Sequence, residues 1–253
     1  MPVTGTLVLV LGAALATAAV FGVSRVLPSE RRERHNTVLG VVYGEIGVIY
    51  AVVLAMVVVG VWDTRARAHD NTYTETNALL QISWYGRSLP EPQHGELRRL
   101  NEAYTTVVIR EEWPRLSRQQ ASPTAWALFT ELRDYVSTRT PSTAAEQARY
   151  QVALEAVAQL GDARRERVNE AANAGVPPLL WAALLVGAFV TIGFGCMFGM
   201  TSLRIHCFVV FCLALTVGFM LLIVYEFNYP FGGAMKVEPT AFELALDRMH
   251  VVG

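Results

Sequence analysis

The chain has almost no lysine: Lys236 stands alone among 253 residues. With a formal net charge of −1 and no run of basic residues, it lacks the electrostatic footprint of a nucleic-acid-binding protein. The lysine shortage itself is a compositional bias of the genome rather than a mechanism. Cysteine is scarce too. Cys196, Cys207 and Cys212 lie in or beside apolar segments, so they define neither a metal spacing nor a disulfide framework. The five histidines are scattered, with no pair at ligand spacing. Strict apolar–polar alternation is missing, which argues against β-strands. Gly193 and Gly195 imitate part of a nucleotide fingerprint but lack the preceding strand and the third glycine, so close helix packing is the better account. No nucleophile with its base, phosphate loop or haem ligand pair emerges. The chain is expected not to be an enzyme and to carry no cofactor or metal.

Charge is low, 17% of residues against about a quarter in soluble domains, and it is segregated. Residues 63–174 hold 14 of the 21 basic and 15 of the 22 acidic residues. Four apolar stretches surround this polar block. Residues 2–24 carry no charge and are long enough to span a hydrocarbon core, which takes about 20 residues. With no Lys or Arg ahead of them, they are expected to be a retained helix rather than a signal peptide. Residues 38–62 form the second stretch, interrupted by one acid, Glu45. The third follows the break at 175–178, with Pro177 expected at the first helical position, and the fourth covers 205–225.

The expected class is an all-α membrane protein. Transmembrane helices 1 and 2 occupy residues 1–62, a helical extramembrane domain 63–174, transmembrane helices 3 and 4 175–226, and a C-terminal tail 227–253. In that tail Phe242, Leu246 and Met249 share one helical face, expected to lie on the membrane surface or against a neighbouring subunit.

The second apolar stretch has no proline or glycine pair where it leaves the membrane. It is expected to continue as one helix to about residue 89, a rod of roughly 75 Å at 1.5 Å per residue. Apolar residues at helical spacing, such as Leu97, Leu100, Tyr104 and Val108, predict helices near 64–88, 95–113, 123–138 and 143–173. Ser122 before Pro123 predicts a cap and a first helical residue, and Thr143 to Glu146 a capping box. Glu111 and Glu112 are adjacent and so point in different directions on a helix. They are expected to be a structural pair satisfying Arg110, Arg115 or the group Arg164, Arg165 and Arg167.

If copies of the second helix ring an axis, either of two faces can line it. One carries Tyr43, Gly47, Tyr50, Leu54, Val57 and Val61. The other carries Glu45, Ile49, Val52, Met56 and Val59, and leads to Asp63. Both are mostly apolar and suited to gating by constriction or dewetting. Glu45 is an intramembrane acid of the kind that marks a pathway, or an interfacial one favoured by the helix macrodipole.

A series of residues then matches a known pattern, in order, across nearly all of 36–249. It comprises Val61-Trp62; Glu75-x-Asn77-Ala78; Glu111-Glu112-Trp113-Pro114; Asp162-Ala163-Arg164-Arg165-x-Arg167; Pro178-Leu179-Leu180-Trp181; and Pro230-Phe231-x-Gly233 followed by Pro239. The chain resembles the prokaryotic family of bestrophin-like membrane proteins. Here the acid ahead of Pro-Phe is Glu226, with a longer spacer through Asn228 and Tyr229. Bestrophins are homopentameric anion channels whose long second helix lines the pore. The resemblance therefore implies a homo-oligomeric ion channel, anion-permeable by analogy, in a bacterial plasma membrane, with the helical domain and both termini cytoplasmic. The partners it implies are further copies of the chain and the lipid bilayer, with no nucleic acid. The alternative is a non-conducting membrane scaffold whose helical domain binds a partner protein.

Overall fold

The computed structural model describes residues 3–252. Among these the regular elements are all helical: α1 (Val3–Val26), α2 (Ser29–Glu33), α3 (Asn36–Gly86), α4 (Gln93–Val107), a widened turn (Val108–Glu112), α5 (Trp113–Leu116), α6 (Pro123–Ser137), α7 (Ala144–Ala172), α8 (Pro178–Met197), α9 (Leu203–Phe227) and α10 (Thr240–Val252). The chain divides into two compact units: Met1–Trp62 with Gly175–Asn228, and Asp63–Ala174 with Tyr229–Gly253. Helix α3 belongs to both. Its 51 residues measure about 76 Å at 1.5 Å per residue.

In the first unit α1, the first part of α3, α8 and α9 are long and apolar enough to cross a membrane. Ala13, Ala16 and Val20 of α1 pack on Val210 and Ala214 of α9 and on Cys196 of α8; small side chains allow such helices to approach closely. Helix α3 seats Tyr50 and Val57 among Leu184, Ala188, Val217 and Val224. Gly187 is obligatory there, because the Tyr50 ring fills the space its Cβ would take.

The charged segment after α1 forms α2 and closes the end of α8. Arg32 Nη1 donates to the carbonyls of Cys196 (3.2 Å) and Phe198 (3.0 Å), and Nη2 to Ser24 Oγ (3.1 Å). Asn36 donates to Gly199 O (2.7 Å) and accepts from Gly199 N–H (2.9 Å). These contacts satisfy carbonyls that a helix C-terminus leaves without partners. At the opposite end Val176 N–H donates to Asn228 Oδ1 (2.7 Å), tying the entry to α8 to the end of α9. Helix α8 starts at Pro178 with Pro177 at the cap, one residue later than expected.

The second unit is a helical bundle around Leu79, Ile82, Leu97, Leu100, Leu132 and Leu160. Ser122 caps α6 and Thr143 with Glu146 forms the capping box of α7. Trp113-Pro114 does not end its helix. The turn widens over Val108–Glu112, which accommodates a Pro114 that has no N–H to give, and α5 continues to Leu116.

The tail also departs from its expected place. Phe231, Val237, Phe242, Ala245 and Met249 are buried in the core of this unit. Trp113 Nε1 donates to Val237 O (3.1 Å), and its ring meets Phe231 and Phe242 with centroids 5.5 and 5.4 Å apart. The amphipathic face of α10 is covered by its own chain. Gly233 takes a φ of 75°, which favours glycine in that motif.

Candidate functional site

The two faces of α3 have opposite fates within the chain. Tyr50, Val57 and Val61 are 8%, 7% and 8% exposed, Gly47 and Leu54 are half-buried, and the half-buried Tyr43 ring meets Phe198 edge-on at 5.5 Å. Within the chain this face packs on α8 and α9. Glu45, Ile49, Val52, Met56, Val59 and Asp63 are all exposed, Met56 at 71%. Asp63 lies eighteen positions after Glu45, about 27 Å of helix, close to the roughly 30 Å of a hydrocarbon core. Two acids thus bracket an apolar stripe of membrane length. Composition could not choose between the faces, since both are apolar; in the structure Tyr50 is the one seated against Gly187. Trp62, also exposed, lies against Phe227 with centroids 5.5 Å apart.

In the second unit four of the family-motif charges, Glu75, Glu112, Arg164 and Arg167, form one buried network. Arg167, fully buried, donates through Nε and Nη2 to Glu75 (2.7 and 3.0 Å). Its Nη2 also lies 2.9 Å from Glu112 Oε1, an ion pair bent away from hydrogen-bond geometry. Arg164 Nη2 donates to Glu112 Oε2 (2.7 Å), which also accepts from Ser122 N–H (3.0 Å), and Tyr104 OH donates to Glu75 (2.6 Å). Burial alone would lower the Arg167 pKa; the Glu75 and Glu112 carboxylates outweigh it and hold the guanidinium charged. Burial, reinforced by the charge of Glu75, pushes Tyr104 well above its ordinary range. Two acids and two arginines balance, and buried charge survives only when paired and hydrogen-bonded. The network ties α3, α4, the widened turn and α7 together.

The adjacent acids separate as expected of neighbours on a helix. Glu111 accepts from Ser122 Oγ (2.6 Å) and Thr124 Oγ1 (3.1 Å) and lies 3.5 Å from Arg115; the Ser122 bond chiefly lowers its pKa. Arg165 is outside the network, paired with Asp162 at the surface, and Asn77 is exposed. Sequence reasoning missed Glu170. One of its oxygens is buried without a hydrogen-bond partner, and burial with the charge of Glu166 pushes its pKa to about 7 against the pull of Arg67 and Arg167. Nothing in local sequence marks it. Among the described residues no group of His, Cys, Asp and Glu could hold a metal.

A family model described as a bestrophin-like domain matches residues 10–242. No curated protein matches the chain. Among solved structures, a point variant of a bacterial bestrophin homologue from Klebsiella pneumoniae has a TM-score of 0.71 at 13% identity, covering 96% of this chain and 97% of that one. The crystal structure of a bacterial bestrophin homologue from Klebsiella pneumoniae obtained by Zn-SAD phasing gives 0.68 at 13% identity, over 100% and 98%. A variant described as a membrane protein gives 0.70 at 13%, over 99% and 98%. At that identity the likeness speaks for the fold.

Proposed function

The chain belongs to the bestrophin-like family, and from that premise we propose that it forms a homo-oligomeric, pentameric ion channel with the outward face of α3 turned towards the axis. One observation carries this reading: the exposed stripe of α3 ends in Glu45 on one side and Asp63 on the other. Lipid would cover the apolar part, but it offers the two acids no shared aqueous path. Water on a central axis would hydrate both. A ring of Ile49, Val52, Met56 and Val59 side chains would close by dewetting, as hydrophobic constrictions do. Carboxylate rings at its two ends favour cations, in contrast to the anion permeability that the resemblance implies. The helical domain and both termini face the cytoplasm in this reading.

The test begins with the mass of the detergent-solubilised particle. Five copies and a cation-selective reversal potential in reconstituted bilayers are expected, with Met56→Ala or Val52→Ala raising the basal current. A monomer or dimer cannot build an axial pore and would leave the membrane scaffold reading in its place. An anion-selective current from an intact pentamer would refute the role given to Glu45 and Asp63 alone.

A further inference from the structure

Where α3 ends and α4 begins, the second unit has a small cleft walled by Ser83, Arg87, His94 and Arg98 over buried Leu97 and Met249. Close packing builds it. A Cβ at Gly86 would come within 3.3 Å of the Leu97 side chain, so glycine lets the end of α3 seat on α4. Ser83 and Arg87 stand four apart, and Arg87 N–H still donates to Ser83 O (3.3 Å). His94 and Arg98 stand four apart on α4, and side chains so spaced share a helix face. The two pairs meet at the cleft.

Three of these four polar walls are basic and none is acidic. Their donors are largely unspent. Other groups serve the carbonyls at the end of α3: Ser88 N–H and Oγ reach Tyr85 O (2.9 and 2.8 Å), and Leu89 N–H and His94 Nδ1 reach Gly86 O (both 3.0 Å). Arg87 is therefore not needed to cap the helix. Among the described residues its exposed guanidinium has no hydrogen bond and no carboxylate partner, and Ser83 Oγ has no hydrogen bond either. Arg98 gives only Nε, to Glu102 (2.8 Å), which leaves both Nη groups. Because a carbonyl can only accept, His94 Nδ1 carries the hydrogen towards Gly86 O and Nε2 is left over. The acids at the start of α4 are engaged elsewhere: Glu91 accepts from Gly95 N–H (3.2 Å) and Glu96 from Arg99 (2.7 Å).

We propose that this cleft binds phosphate, as the free ion or as the terminal group of a monoester. Arginine forks and a hydroxyl are donors that match the oxygens of a tetrahedral oxyanion. The enclosed space of about 10 Å³ has room for one water-sized atom. One phosphate oxygen enters it, and the others stay at the rim with Arg87. The helical domain thereby has a ligand of its own, and its occupancy is read without any current.

The test is isothermal titration calorimetry of the full-length protein in detergent, with sodium phosphate in a chloride-free buffer at neutral pH. One saturable site per chain is expected. Arg87→Ala should weaken it at least about tenfold, the order of one hydrogen bond to a charged group. Arg118→Ala, also exposed but outside the cleft, should leave it unchanged. Should Arg87→Ala not fold, Arg98→Gln keeps a donor for Glu102 and carries the same expectation. Glycerol phosphate that competes with phosphate supports the site with a monoester as its ligand, and phosphate binding without such competition supports it with the free ion. No saturable heat, equal losses in Arg87→Ala and Arg118→Ala, or displacement of phosphate by equimolar chloride would overturn the proposal.

Discussion

Replacing Arg167 by alanine tests whether the family-motif charges act as one unit. The side chain is fully buried, with 2.7 and 3.0 Å bonds to Glu75 and a 2.9 Å approach to Glu112. Without it, Glu112 keeps Arg164 and the Ser122 N–H, but Glu75 keeps only the Tyr104 hydroxyl. Removing one partner of a buried pair costs about 3–5 kcal/mol, and the void opens beside Trp113 and Phe242. Against a domain stability of about 5–15 kcal/mol, the loss takes a large share. Arg167→Met combined with Glu75→Gln restores charge balance and keeps an acceptor for Tyr104; it should recover about half of the loss. Urea unfolding of the full chain in detergent, followed by tryptophan fluorescence, reads both, since Trp113 lies beside the network. A loss below about 1 kcal/mol for Arg167→Ala, or a double variant no better than the single, would refute the coupling.

Other expectations follow from single contacts. Val57→Ala should lower thermal stability by about 1–3 kcal/mol through lost packing with no change in current; an increase like that expected of Met56→Ala would put the wrong face of α3 on the axis. Gly187→Ala should cost about 1–3 kcal/mol by overpacking against the Tyr50 ring, and Tyr50→Leu should relieve it in the same melting assay. Ser122→Ala removes the 3.2 Å cap to Ala125 N–H and a bond to Glu111, a loss of about 1–2 kcal/mol in urea unfolding. Because Glu170 binds its proton more tightly folded, with a pKa pushed up to about 7, its stabilising contribution is complete below the ordinary carboxylate range and fades as pH rises through about 7. After discounting for solvent screening this amounts to about 1 kcal/mol. Melting curves across that window should show it, and Glu170→Gln should flatten it.

Helix positions were largely legible because each rests on local chemistry. The caps at Ser122 and Thr143 satisfy backbone N–H groups within one turn, and the passage of α3 out of the membrane needs only the lack of a breaker. Where the outcome depended on a distant partner, local pattern did not suffice. Nothing in the charged stretch around Arg32 points locally to its partners, the carbonyls at the end of α8. The amphipathic α10 fits a membrane surface and a protein core equally well, and the apolar surroundings of Trp113 decided for the core.

From the chain alone came its class: an all-α membrane protein of the bestrophin-like family, its charge gathered in one polar block, its second helix continuous. Those features follow from hydropathy, periodicity and ordered motifs, which act over a few turns. Which face of α3 is spent on packing and which arginine pairs with which acid were decided only by tertiary structure. Each depends on side chains more than 50 residues apart, such as Tyr50 against Gly187 and Arg167 against Glu75, meeting in one volume that no local pattern encodes.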